Sequence, residues 1–335
     1  MKTRFSILVS AILLAAATLL AQTVPDTVEA HVAAAKAAAG SEHTSTFNSA
    51  CDMTKERASS NPTPAPRAGG PAPAPARATW HVEPVKVFDN MYYLGQSEYS
   101  AWAVNTSAGI IVIDALFDYS VEDEIAGGLT KLGLDPKNIK YVIVSHAHSD
   151  HAGGAKFLQD KFGAKVLMSA ADWDLTARTT QSWPKPRKDI VVTDGQKLTL
   201  GDTTLTMFLT PGHTPGTIST IVPVRDNGRP HVAAEWGGTG FNFTVSPDKP
   251  RRYWYETYAA SADHFRDAVK KANADVLFAN HPEQDSAKAK LAKLATRKPG
   301  DPNPYVIGND SVVRYVTMVG ECARASRLRF NTSTN

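Results

Sequence analysis

Between residues 85 and 113, short apolar runs alternate with turn residues. The runs are Val85-Lys86-Val87-Phe88, Met91-Tyr92-Tyr93-Leu94, residues 101–104 and residues 110–113. Such runs are too short for helices, and their β-branched and aromatic content predicts a meander of strands. Ser107-Ala108-Gly109 predicts a hairpin turn between the last two. The period then changes: residues 121–132 carry an amphipathic helical pattern, and Gly133 is a fitting stop. A strand over 141–144, a helix over 154–162, a strand over 165–168 and a helix over 170–177 follow. A second strand-rich stretch covers 190–224, including 197–200 and 204–209, with a further strand at 231–234. A helix over 259–273, a strand over 275–279 and helices over 286–295 and 310–328 complete the chain. Strands and helices, then strands and helices again, predict two similar halves, each a sheet with helices outside it.

The N-terminus is built differently. Lys2 and Arg4 precede an apolar stretch of about 16 residues that ends near Ala21, with no stop-transfer flank. This predicts a signal peptide over 1–21, a periplasmic or secreted protein, and no stable membrane insertion after cleavage. Residues 22–78 combine an Ala-rich helix at 28–39 with a Pro/Ala/Gly-rich linker at 61–77. The main domain is expected over 79–300, with a C-terminal helix in 301–335 packed on it. The 335 residues are 42% hydrophobic and 21% charged, which suits a globular core. A formal charge of +3 without a Lys/Arg block gives no reason to expect a nucleic-acid partner. Export would permit Cys51 and Cys322 to pair, and two unpaired thiols are the alternative.

The chemistry gathers in His146-Ala147-His148-Ser149-Asp150-His151, directly after the buried strand Tyr141-Val142-Ile143-Val144 and before Gly153-Gly154. A polar cluster at the end of a buried strand is costly unless something binds it. Neutral imidazole and carboxylate are typical zinc ligands. Two more histidines follow strands in loops stiffened by Pro or Gly: His213 in Thr210-Pro211-Gly212-His213-Thr214-Pro215-Gly216, and His281 in Asn280-His281-Pro282. No Gly-x-Ser-x-Gly elbow supports a serine nucleophile. His31, His43, His81, His231 and His264 read as structural or surface histidines.

From about Trp80 onward, these motifs resemble the metallo-β-lactamase superfamily, and most of all the third subclass of class B β-lactamases, which lacks a cysteine ligand. Asn303-Pro304-Tyr305, followed by an Arg-containing helix, adds to the likeness. The resemblance implies an α+β fold, a four-layer αβ/βα sandwich of two mixed β-sheets with helices on the outer faces. It implies two zinc ions per chain, one on His146, His148 and His213 and the other on Asp150, His151 and His281. A hydroxide between them would attack the carbonyl of a small-molecule acyl substrate, with Asp150 orienting it and carrying its proton. Three imidazoles on a tetrahedral zinc leave one open position, the catalytic pattern. Asp114 is expected either behind the site, toward a ligand histidine, or as a simple turn residue.

Substrate contacts are expected from Glu235, Trp236 and Thr239, and from Trp254 and Tyr258. Glu235-Trp236-Gly237-Gly238-Thr239 stands where the third subclass usually has a serine region that helps bind the substrate carboxylate. Glu235 is also weighed as an extra metal ligand, and Trp236 as a pocket wall or core residue. The segment Arg251-Arg252-Tyr253-Trp254-Tyr255, with Tyr258, reads either as a lid offering aromatic surface and an arginine or as a surface loop with one face packed down. Thr217, where many lactonases and thioesterases of the superfamily have histidine, leans toward the β-lactamase-like branch. The leading expectation is opening of a β-lactam ring. The alternatives are a lactone, thioester or other acyl ester hydrolase, a di-iron oxidoreductase, and a non-catalytic binding protein.

Overall fold

A computed structural model describes residues 25–54 and 74–330; the expected signal peptide and most of the linker lie outside these residues. The chain opens with α1 (Val28–Ala39), whose first turn is capped by the Thr27 hydroxyl accepting from the Ala30 amide. A short α2 (Thr44–Ala50) follows. The first sheet holds seven strands in sequence order: β1 (Val85–Lys86), β2 (Met91–Tyr93), β3 (Trp102–Thr106), β4 (Gly109–Ile113), β5 (Ile139–Ile143), β6 (Lys165–Ser169) and β7 (Ile190–Val192). The meander β1 to β4 is antiparallel, and β4 to β7 run parallel. Helical crossovers make the parallel half possible. They are the helical turns Glu122–Gly127 continuing into α3 (Gly128–Lys131), then α4 (Ser149–Ala152), α5 (Ala155–Phe162) and α6 (Ala170–Arg178).

The second sheet contains β8 (Gln196–Leu200), β9 (Thr203–Leu209), β10 (Ile218–Asp226), β11 (Arg229–Glu235) and, beyond the long helix α7 (Arg251–Ala272), β12 (Val276–Phe278). Its pairs are antiparallel except β11 with β12. Helices α8 (Ala287–Ala295) and α9 (Asn309–Arg329) close the described chain.

The two sheets pack face to face. Ile111, Ile113, Ile143 and Leu167 meet Leu205, Met207, Ile218 and Val222 in the inner core. The alternate residues Ile110, Val112, Val142 and Val166 point the other way, under Leu129, Ala155 and Leu158 of the outer helices. A strand buried on both faces reads as a continuous apolar run, which is why residues 141–144 lack polar alternation. On the far side, Ile221 and Ala234 lie under Tyr258, Phe265, Val316 and Val319 of α7 and α9. The layers are therefore αβ/βα, as expected.

The N-terminal helices belong to this outer layer. α1 lies against α9, with His31 Nδ1 2.6 Å from Glu321 Oε2. Cys51, just after α2, forms a disulfide with Cys322 of α9, Cα to Cα 4.9 Å. The open question of the two cysteines is settled in favour of pairing. The helix expected over 259–273 begins earlier, at Arg251.

Candidate metal centre

The site lies where strands of both sheets end. β4 delivers Asp114, β5 runs into the loop holding His146 and His148, and α4 carries Asp150 and His151. The turn between β9 and β10 brings His213, and the residues after β12 bring His281. Asp114 adopts φ 62° and Leu116 φ 57°, left-handed values uncommon for non-glycine residues. Gly154 makes this bend packable: its amide donates to Leu116 O at 3.0 Å, and a Cβ there would sit 2.2 Å from Ala115 O.

Six side chains converge as two triads, and within each the ligand atoms all lie within 4.8 Å of one another. In the first, His213 Nε2 is 3.0 Å from His146 Nε2 and 3.1 Å from His148 Nδ1. In the second, His151 Nε2 is 3.0 Å from Asp150 Oδ2 and 3.2 Å from His281 Nε2, and His281 Nε2 is 3.7 Å from Asp150 Oδ2. The rings of His146 and His151 touch, centroids 4.2 Å apart, and join the triads.

The far side of the imidazoles explains their orientation. Nδ1–H donates to Gly237 O from His146 (2.8 Å), to Gly240 O from His213 (2.6 Å), to Glu98 O from His281 (3.0 Å) and to Asp114 Oδ2 from His151 (2.8 Å). Each bond assigns the tautomer and leaves the Nε2 lone pair facing the cluster. Converging lone pairs repel unless a cation lies between them. A tetrahedral zinc with bonds of ~2.05 Å holds its nitrogens roughly 3.3 Å apart, close to the spacings here. The donor sets thus fit two metal ions.

The charges agree with this arrangement. Burial, reinforced by the neighbouring imidazoles, holds His146 and His213 well below the ordinary histidine pKa and lowers His148 to about 4. Neutral imidazole is the form that a metal ion takes as a ligand. Burial works against charge on Asp150 too, but His151, His281 and His148 outweigh it and hold the carboxyl well below the usual range. Burial likewise opposes a charged His151, yet the Asp150 and Asp114 carboxylates on either side push it up to about 10, so the pocket favours positive charge at this ring and a metal ion bound there would take the place of the Nε2 proton.

A buried net of hydrogen bonds supports the triads. Asp114 Oδ1 accepts from the Ser145 amide at 2.7 Å and Oδ2 from the Ser145 hydroxyl at 2.8 Å. Asn280 Nδ2 donates to Gly237 O at 2.8 Å, beside His146. Asp172 Oδ2 accepts from the Ala147 amide and the Thr214 hydroxyl, each at 2.8 Å, and so ties the His146–His151 loop to the His213 loop. Thr217 Oγ1 accepts from the Thr214 amide at 3.0 Å and closes the His213 turn from inside. Of the two readings of Asp114, the structure places it behind the site.

The expected substrate contacts divide. Thr239 lines the cavity beside His213 and His281, and its hydroxyl donates to Gln284 Oε1 at 2.8 Å. The other four are corrections. Glu235 is fully buried, outside both triads, with neither carboxyl oxygen hydrogen-bonded. Burial and the Asp114 carboxylate push its pKa well above the usual range, so it is held protonated in the interior. Trp236 is core: its Nε1 donates to the Tyr258 hydroxyl at 2.8 Å. Trp254 and Tyr258 sit on the buried face of α7, where Trp254 stacks on Phe243 and Tyr258 meets Phe241. The segment weighed as a lid or as a surface loop with one face packed down is the first two turns of α7; its aromatic face is packed down, and the aromatic spacing makes an inward stripe.

Other lining residues had no signal of their own in the sequence. Ser49 and Ala50 at the end of α2 form part of the cavity wall, with Gly238 and Thr239. Their place follows from the Cys51–Cys322 bond and from the Thr46 hydroxyl donating to Gln284 O at 3.0 Å. Gly238 has no room for a side chain, since a Cβ would lie 2.4 Å from His213 Cβ.

A family model described as the metallo-beta-lactamase superfamily matches residues 94–226. BJP-1, a subclass B3 metallo-beta-lactamase of Bradyrhizobium japonicum, superposes with a TM-score of 0.58 at 30% identity, covering 72% of this chain and 92% of that one. The chain belongs to the metallo-β-lactamase superfamily. It is a metal-dependent hydrolase by that membership, and its fold is shared with subclass B3 structures. Superfamily relatives with other substrates are similar over shorter stretches. A hydroxyacylglutathione hydrolase of Acidiphilium cryptum is 37% identical over 81 residues, 24% of this chain and 30% of that protein. An N-acyl homoserine lactonase of a Bacillus species is 26% identical over 170 residues, 49% and 64% respectively. The chain thus spans less than two thirds of these relatives. Among the described residues no helix is long and apolar enough to cross a membrane.

Proposed function

We propose that this superfamily member is an exported, dinuclear zinc hydrolase that opens the cyclic amide of a β-lactam. The observation that carries the reading is the pair of triads, all nitrogen and carboxylate, in a fold shared over 92% of a subclass B3 β-lactamase. His146, His148 and His213 would hold one ion, and Asp150, His151 and His281 the other. Bound there, zinc supplies a Lewis acid for the carbonyl and a water acidified enough to attack near neutral pH.

The chain's own residues do the rest. Asp150 Oδ2 faces His151 and His281, which leaves Oδ1 to orient the attacking water and take its proton. Asp114 holds the His151 ring, so the lone pair of its Nε2 cannot turn away. The backbone carbonyls of Gly237, Gly240 and Glu98 do the same for His146, His213 and His281. The wall formed by Ser49 and Ala50 limits water and substrate on the His213 side. The test is turnover of a chromogenic cephalosporin with and without a chelator. Chelator-sensitive turnover is expected, and its absence at high enzyme concentration overturns the reading.

A second reading, hydrolysis of a lactone or other acyl ester by the same groups, is favoured by the lactonase similarity. Lactone turnover far above β-lactam turnover in a substrate panel would select it.

A further inference from the structure

The cleft over the triads has two arms that meet at Asn242. One, about 210 Å³, runs past His213 and His281 to the α2 wall. The other, about 610 Å³, runs past His148 and Asp150 to the C-terminal end of α6. They differ in charge. No lysine or arginine lines the smaller arm among the described residues. Its Gly238 is sterically barred from carrying a side chain, and the Thr239 hydroxyl is engaged by Gln284 and Tyr315. Among the described residues, no cationic side chain there is offered to an anionic substrate group.

Arg178, the last residue of α6, lines the larger arm. It is exposed, and its guanidinium makes no hydrogen bond or ion pair among the described residues. Lys185, a basic side chain on the adjoining surface, is committed: it donates to the carbonyls of Gln181 and Trp183. Arg178 shares its arm with Thr179, Thr180 and Gln181, which add hydroxyl and amide groups beside the guanidinium. A guanidinium presents a planar fork of donors that matches a carboxylate.

We propose that Arg178 is a specificity-determining residue that binds a carboxylate of the substrate. The substrate then lies along the larger arm, with its acyl carbonyl between His148 and Asp150 and its anionic end at the close of α6. This rests on the hydrolase reading and deepens it, because it assigns an anionic acyl substrate and its direction in the cleft. A group acting only in binding shifts KM and leaves kcat.

The experiment compares wild type, Arg178→Ala and Arg178→Lys on a matched pair, a chromogenic β-lactam acid and its methyl ester. Arg178→Ala is expected to raise KM for the acid about 3- to 10-fold, the scale of an exposed charge-assisted contact, with kcat within about twofold. The ester's KM should not change, and Arg178→Lys should recover part of the loss. Equal KM changes for acid and ester, or none for the acid, overturn the proposal while leaving the hydrolase reading in place. If wild type turns over neither compound nor a lactone panel, the hydrolase reading fails. Calorimetric binding of the same pair to the zinc-loaded proteins then decides Arg178. Weaker binding of the acid alone to Arg178→Ala supports it, and equal affinities overturn it.

Discussion

Asp114 Oδ2 accepts a 2.8 Å hydrogen bond from His151 Nδ1, and both residues are fully buried. The carboxylate lies behind the triads and would act on a bound metal through the ring it holds. Asp114→Ala should therefore weaken zinc binding at the Asp150, His151 and His281 triad by about 10- to 100-fold. Competition with a chromophoric chelator measures this directly. Unchanged affinity of both sites would show that His151 is held by packing alone.

Gly238 is confined by His213, whose Cβ a new methyl group would meet at 2.4 Å. Gly238→Ala is expected to displace His213 and to lower zinc occupancy of the His146, His148 and His213 triad. Metal analysis after dialysis against a weak chelator tests this, and full occupancy would show that the loop relaxes without moving the ring.

Reduction of the Cys51–Cys322 bond, or Cys51→Ser, should destabilise the protein by about 2–4 kcal/mol. It should also raise hydrogen exchange in α1 and α2, which this bond ties to α9. Identical thermal melts with and without reductant would mean that packing of α1 on α9 suffices.

Asp285 is buried, its Oδ2 lacks a partner, and burial raises its pKa to about 7. Its ordinary value is 3.8, so the folded state holds the proton more tightly than the unfolded chain does. The associated stability is complete below about pH 4 and is lost as pH rises through 7. The loss is at most roughly 4 kcal/mol. Asp285→Asn should flatten this part of the stability profile. Denaturant melts from pH 4 to 8 measure it, and parallel profiles for the two proteins would place the charge elsewhere.

Much of the architecture was legible because its signals are local. Strands buried on both faces, such as β4 and β5, leave unbroken apolar runs, and the His146–His151 loop carries four ligand candidates in six residues. What the sequence hid depends on distant partners. The α2 wall is set by a bond spanning 271 positions between Cys51 and Cys322. Nothing in Ala147 or Thr214 announces that Asp172 joins their loops. The 251–258 segment misled because its two arginines suggest an exposed surface, although Trp254 and Tyr258 already stand at helical spacing. Glu235 ends β11 and Trp236 follows it, at a strand end where site residues gather, yet both are buried.

The central claim is that two triads each hold a zinc ion and that the pair performs hydrolysis. Zinc counted by mass spectrometry of the native protein, with cephalosporin turnover measured on the same samples, tests it most directly. The account predicts two zinc ions and chelator-sensitive turnover in the wild type, and loss of one ion together with turnover in His146→Ala. Full turnover in His146→Ala, or turnover by a protein stripped of metal, would contradict it.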